Sequence, residues 1–410
     1  MHARVPPMTT VDDDAAIRLA ATGRWERWRA RCTGPVSAAV SGLMLVVAVQ
    51  HFAASDAAKA MLASAVSCGF LASPLAVQAA ARRGWPVGRA IGGLLVLSGA
   101  GYAVAALAPG IAVYIAGFLL ALIAGGMLVP FTIALWRQNA DDAVRGRHFS
   151  AVVQNEVIAG LVATLLIAWW IGDDAARFRP VLAIAALLAV AAGLCVRRVP
   201  SRPLPATGRN PFAPMAWLWR DRGFGWVNCS YTVMGLANFM VLPLRIDWLA
   251  STGHGLGYRA DLIQLVVVAV PTVMRLAFGR LWGAAFDRMD FIALRIAINV
   301  CFMLAMALFF TASLPLQVVA SAFLGLGFAG GDIAWNLWVT KYAPPERTAD
   351  YMAVHVFLTG LRGLVAPSIG FALIAVVGRG ATGWLAVGGV ALASLMLLPE
   401  LRRFRRTPAG

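Results

Sequence analysis

The chain has 410 residues, 60% of them hydrophobic and only 13% charged, with a mean hydropathy of +0.75. That composition excludes an ordinary soluble domain, in which roughly a quarter of the residues are charged. The net charge of +16 would suit nucleic acid, but the basic residues sit in short loops and tails rather than on one face, as the positive-inside rule describes, and no nucleic-acid partner is expected.

Apolar runs of about 20 residues recur, each long enough to cross a hydrocarbon core of ~30 Å as a helix. They do not alternate as barrel strands would. Residues 1–34 are polar and Arg-rich and read as a cytoplasmic tail with no cleavable signal peptide. Spans are expected near 35–55, 57–81, 87–108, 111–137, 150–171 and 180–196. A stretch from Arg197 to Arg222 follows, with Pro200, Pro203, Pro205, Pro211 and Pro214. It reads as an exposed linker, with an interfacial segment around Trp217-Leu218-Trp219. Six more spans are expected near 223–244, 260–286, 291–312, 314–340, 351–377 and 381–399, before a basic tail with Arg402, Arg403, Arg405 and Arg406.

The fold expected is therefore an all-α polytopic membrane protein with about twelve helices. Its parts are an N-terminal tail (1–34), a six-helix bundle (35–197), a cytoplasmic linker (198–222), a second six-helix bundle (223–400) and a tail (401–410). With both termini inside, 27 of the 35 Lys and Arg fall on the inner side. Lys59, Arg177, Arg179, Arg245, Arg259 and Arg379 fall outside, and Arg275 and Arg362 lie within helices. The halves also repeat. A shift of 205 residues lays Ala124-Gly125-Gly126 on Ala329-Gly330-Gly331, Asp56 on Asp261 and Arg83 on Arg288. Duplicated halves facing a midplane site are a recurrent transporter plan.

Soluble-enzyme chemistry finds no foothold: there is no P-loop, HExxH or GxSxG motif. Cys32, Cys68, Cys195, Cys229 and Cys301 are scattered singly, so no disulfide frame, metal site or cofactor is expected.

Six plus six helices, a basic linker and the stretch Gly283-Ala284-Ala285-Phe286-Asp287-Arg288 together resemble the major facilitator superfamily, which carries a Gly-x-x-x-Asp-Arg loop motif. The first-half counterpart, Gln78 to Arg83, keeps an arginine but not the glycine or the acid. The resemblance implies two pseudo-symmetric six-helix bundles and alternating access. It gives Gly283 a role in close helix approach, and gives Asp287 and Arg288 a gating role in place of an ordinary solvated loop pair. Helix 4 lacks the arginine found in many proton-coupled members, and helix 5 lacks the Gly-Pro pair of drug–proton antiporters.

Charges deep in spanning helices usually face a cavity or a partner. Arg275, Asp332 and Arg362 are three such charges. The expectation is that Asp332 pairs with one arginine and leaves the other for a substrate anion; a purely structural network is the alternative. Trp335 and Asn336 share a helix face with Asp332 and suit a wall for a polar organic molecule, whereas Trp338 suits an interfacial belt. His355 is either a proton relay or a solvated helix-end residue, and Gln50 and His51 are candidates to face the cavity. Asn228 and Tyr231 share a face of helix 7. Glu156 either lines the inner vestibule or pairs with a basic loop residue.

The function expected is secondary active transport of a small polar or anionic organic solute, with protons as the candidate coupling ion. The alternative is a non-transporting assembly factor or receptor of the same fold. A monomer in a bacterial cytoplasmic membrane is expected, with lipid and a small-molecule substrate as its partners.

Overall fold

A computed structural model describes residues 10–205, 210–344 and 347–404. Residues 1–9 and 405–410 of the expected tails, and 206–209 of the expected linker, lie outside the described residues. Helix α1 runs from Thr10–Ala38 through a π-helical turn, Ala39–Leu43, into Met44–Gln50. Next come α2 (Asp56–Arg82), α3 (Val87–Ala106), α4 (Ile111–Gly126 and Leu128–Asn139), α5 (Asp142–Ile171) and α6 (Phe178–Val196). The second half holds α7 (Arg222–Ala250), α8 (Ala260–Gln264, a π turn Leu265–Ala269, then Val270–Arg288), α9 (Phe291–Phe309) and α10 (Leu314–Leu337). The final helical stretch, Thr348–Phe404, breaks at Gly378 (φ 80°, ψ 168°) into α11 and α12.

Eleven stretches are long and apolar enough to cross a membrane, and the last, Asp350–Glu400, contains both α11 and α12. With those two taken separately, the described residues hold twelve stretches able to cross, and the two described ends lie at one end of the bundle. We call that end proximal and the opposite end distal.

The first helix starts far earlier than the hydropathy implies. Residues 15–34 are polar along the sequence, yet one face of their helix is covered by α4, α5 and α6. Thr22, Glu26 and Ala30 are buried. Trp136 donates to Glu26 Oε2 (3.3 Å), and Arg29 donates to Glu26 Oε1 (2.9 Å). Arg29 also lies 3.8 Å from Glu156, so the partner of Glu156 is on a helix and not in a loop.

The start of the linker is likewise pinned rather than free. Asn139 donates to the Pro200 carbonyl (2.7 Å), and Gln138 both donates to and accepts from Arg202. Val199 is buried.

Glycines set the closest helix approaches within the first half. A Cβ on Gly69 would lie 2.3 Å from the Ile123 carbonyl oxygen, and one on Gly126 would lie 2.3 Å from that of Val66. Such small-residue contacts let α2 and α4 pack backbone to backbone.

The apolar core is asymmetric. At the distal end one continuous core joins both halves, running through Leu43, Val47, Tyr114, Phe118, Phe178, Leu249, Ile263 and Phe309. At the proximal end the described core residues fall into separate groups. One, with Phe224, Tyr231, Phe291, Trp338 and Leu397, belongs to the second half alone. The others, around Ile91 and Leu135 and around Ala30 and Trp136, belong to the first half alone.

Polar contacts between the halves have the same bias. Gln50 Nε2 donates to the Tyr258 carbonyl (2.8 Å), the Asp261 amide to the Gly172 carbonyl (2.9 Å), and Gln264 to the Ala38 carbonyl (3.1 Å). Halfway along, Ser64 donates to the Leu364 carbonyl (2.9 Å).

Candidate functional site

Helices α8 and α10 cross in direct contact. A Cβ on Gly325 would lie 2.4 Å from the Pro271 carbonyl oxygen, and one on Gly330 would lie 2.8 Å from Ile298 and Trp282. One turn beyond Pro271 stands Arg275, and two turns beyond Gly325 stands Asp332, so the close crossing brings the two charges together. Arg275 donates to Asp332 Oδ2 from Nη2 at 2.5 Å and from Nε at 3.1 Å. The side chains are 34% and 52% exposed. An exposed ion pair this deep in spanning helices is expensive against lipid and inexpensive against water. A polar cavity between the helices, rather than lipid, is the setting such a pair suits.

Trp335, on the next turn, is half-buried, with its ring centroid 5.3 Å from that of His355. The Asn336 side chain lies outside the described residues.

Arg362 is in a different setting. It is buried on α11, donating to the Tyr231 carbonyl (3.1 Å) and to Thr359 Oγ1 (2.6 Å). Gly235 makes room for it: a Cβ there would lie 2.2 Å from Arg362 Cδ and 2.4 Å from Nε. Because the guanidinium is enclosed, it has nowhere to retreat. Gly235→Ala is expected to lower stability by about 1–3 kcal/mol, as overpacking does. It should cost much less on an Arg362→Gln background. Thermal unfolding midpoints of the four proteins check the coupling.

Tyr231 is buried, and Asn228 is buried with Nδ2 donating to the Phe224 carbonyl (2.8 Å). Neither faces open space. Of the two readings of His355, the solvated helix end does not hold: it is 1% exposed, boxed in by Trp335, Trp338 and Tyr231. Trp338 is no belt residue either. It is fully buried, stacked on Phe224 at 5.6 Å. The reason is common to both: the Trp338 and His355 rings meet each other and pack on Tyr231 of α7.

Gln50 and His51 stand at the distal end, away from Arg275 and Asp332. Gln50 bridges the halves, and His51 packs on Phe52 and Phe178 at 4.6 and 5.3 Å. Both line a distal cavity of about 600 Å³, with Lys59, Asp173, Asp247, His254 and Arg259. The exposed Arg259 is held above its ordinary pKa by hydrogen bonds to Asp261, which favour the charged form.

Beneath that cavity is a network that hydropathy did not single out. Asp247, on α7, takes Lys59 of α2 on Oδ1 (2.6 Å) and Arg379 of α12 on Oδ2 (2.8 Å). Lys59 and Asp247 are buried. Lys59, Arg379 and Arg245 were expected in outer loops. Arg245 is in fact buried too, donating to Ser321 Oγ (3.0 Å) with its guanidinium 4.2 Å above the Phe309 ring. The apolar run of the seventh span stops near 244, but the helix continues to Ala250.

The profile of the Major Facilitator Superfamily matches residues 32–367. The chain belongs to that superfamily. Its fold is similar to the crystal structure of the nucleoside transporter NupG, at a TM-score of 0.72 and 12% identity, covering 93% of this chain and 98% of that one. It is similar to the xylose transporter XylE from E. coli in a partially occluded inward-open conformation, at a TM-score of 0.67 and 15% identity, with 93% and 97% covered. A third similar structure is the human organic anion transporter MFSD10, at 0.65 and 14%, with 93% and 99% covered. Identities this low carry the fold alone. No curated protein matches the chain in sequence.

The superfamily loop motif is placed otherwise than expected. A Cβ on Gly283 would meet nothing nearer than Ile333 Cδ1 at 4.0 Å, so this glycine is not a close-approach point. Asp287 and Arg288 are exposed, and neither forms an ion pair among the described residues. The helix-packing role that the motif implies for glycine is taken in this superfamily member by Gly325 and Gly330.

Proposed function

We propose that this member of the superfamily is a secondary active transporter that moves a small polar or anionic organic solute by alternating access. It works in a bacterial cytoplasmic membrane with both termini cytoplasmic. The observation that carries this reading is the asymmetric core: one core across both halves at the distal end, separate cores at the proximal end. Closure at one end with separation at the other is the arrangement that rocking of two bundles about a central site requires. The mid-span pair of Arg275 and Asp332, with Trp335 beside it, offers such a site a charged and aromatic wall. The similar structures named above are transporters of nucleosides, xylose and organic anions, which supports an organic solute.

Asp332 is the candidate proton-coupling residue. In proteoliposomes, saturable uptake of one member of a panel of organic anions, sugars and nucleosides is expected, driven by an inward proton gradient. Asp332→Asn should abolish gradient-driven accumulation while leaving exchange of internal for external solute. Full gradient-driven uptake by the variant would sink the coupling role. No flux with any solute class would favour the non-transporting alternative.

A further inference from the structure

We propose that the second bundle holds a buried anion site, in which one small anion sits between Arg295 of α9 and Arg362 of α11 with the Tyr231 hydroxyl and His355 beside it. Arg295, on α9, is 5% exposed, and Arg362 is 4% exposed. The Arg295 guanidinium lies 5.0 Å from the Tyr231 ring centroid and touches the Met234 sulfur. Arg362 donates to the backbone carbonyl of that same tyrosine. Two guanidinium groups thus converge on one residue from two helices.

Neither arginine forms an ion pair among the described residues. The carboxylates on the surrounding elements are engaged elsewhere. Asp332 is taken by Arg275, Asp221 accepts from the Tyr351 hydroxyl, and Asp290 caps α9 through the amides of Ile292 and Ala293. Asp350 and Glu400 have other partners.

The polar atoms left over point the same way. Arg295 Nε, Arg362 Nε, the Tyr231 hydroxyl, both ring nitrogens of His355 and Trp338 Nε1 are buried with no hydrogen-bond partner among the described residues. With one ring nitrogen protonated, the histidine supplies a donor, and the others are donors as they stand. Buried polar groups are almost always satisfied, and buried charges are paired. A cluster with two fixed cations, a surplus of donors and no free acceptor of negative charge has the chemistry of an anion cradle. Its enclosure restricts the occupant to a compact group. That group is either a free inorganic anion or the acid group of a transported solute.

The test is thermal unfolding of the purified full-length protein at constant ionic strength. Gluconate is exchanged stepwise for chloride, nitrate, phosphate or acetate. A ligand that prefers the folded state raises its midpoint in a saturable way. A saturable rise with at least one of these anions is expected. Arg295→Gln and Arg362→Gln should each weaken the response at least tenfold. Arg259→Gln, removing an exposed arginine at the distal end, should leave it intact. Tyr231→Phe removes only a hydroxyl and should weaken the response several-fold, which keeps the question decidable if either arginine variant fails to fold.

Saturation with an inorganic anion alone identifies a resident ion. A response confined to acetate identifies the acid group of the solute. A midpoint indifferent to anion identity, or a response undiminished in the arginine and tyrosine variants, overturns the proposal. This readout requires no flux, so it stands or falls separately from the transport reading.

Discussion

Asp247→Asn is expected to open the distal end and to lower the thermal unfolding midpoint by several degrees. Asp247 is the only carboxylate that Arg379 meets among the described residues, and it shares Lys59 with Asp56. Removing one partner of a buried pair leaves an uncompensated charge and costs about 3–5 kcal/mol. Lys59 keeps Asp56 at 2.6 Å, so Arg379 bears most of the loss. The network links α2 of the first half to α7 and α12 of the second, so the cost falls on the closed distal arrangement.

Accessibility reads this directly. On a background without the five native cysteines, Leu249→Cys places a thiol in the fully buried distal core. It should resist a membrane-impermeant maleimide in the parent and react in Asp247→Asn. Replacing Lys59, Asp247 and Arg379 together by apolar residues of similar size should restore the midpoint, because a wholly apolar substitute escapes the desolvation cost of the ions. An unchanged midpoint with a shielded thiol in Asp247→Asn would show that the network does not hold the distal end.

The second large effect concerns Arg275 and Asp332. Truncating either leaves the other charge exposed to the cavity wall without its partner. If the pair contacts the solute or moves with it, Arg275→Gln should cut uptake about ten- to hundredfold. That is the loss of a charge-assisted hydrogen bond worth ~1.5–3 kcal/mol. The double variant Arg275→Met, Asp332→Leu should regain the parent's thermal midpoint and still fail to accumulate solute. A structural pair would behave in the opposite way, with uptake following stability back to the parent level. A double-mutant cycle on both readouts separates the two cases.

These two networks show what a sequence can and cannot disclose. Arg275 and Asp332 were legible because each interrupts a long apolar run, and a charge at that depth demands an explanation. The spans were legible as long apolar runs, and the last two (351–377 and 381–399) were separated even though Gly378 joins them with no polar loop. Asp247 and Arg379 lie one turn or so past the ends of apolar runs. Linear hydropathy cannot tell such a position from a solvated loop, because it does not know which neighbour covers it. The belt reading of Trp338 and the helix-end reading of His355 fail because both rings are covered by neighbouring helices, which position along the chain does not reveal. Within residues 15–34 burial recurs on one helical face, and averaging along the chain conceals it.

Gly378 has a mechanical consequence. It alone turns α11 into α12, in a left-handed conformation that a Cβ would strain. Such a corner has no slack, so the two helices form one bent lever. Arg362 sits on one arm, and Arg379 is the first residue of the other. The 16 positions from Arg362 to the corner span about 24 Å of helix. A tilt of about 5° over that arm moves its end by about 2 Å, enough to take the Arg379 guanidinium out of hydrogen-bond range of Asp247. Whatever settles against the deep arginine is thereby geared to the far lock, with no loop between them to absorb the motion.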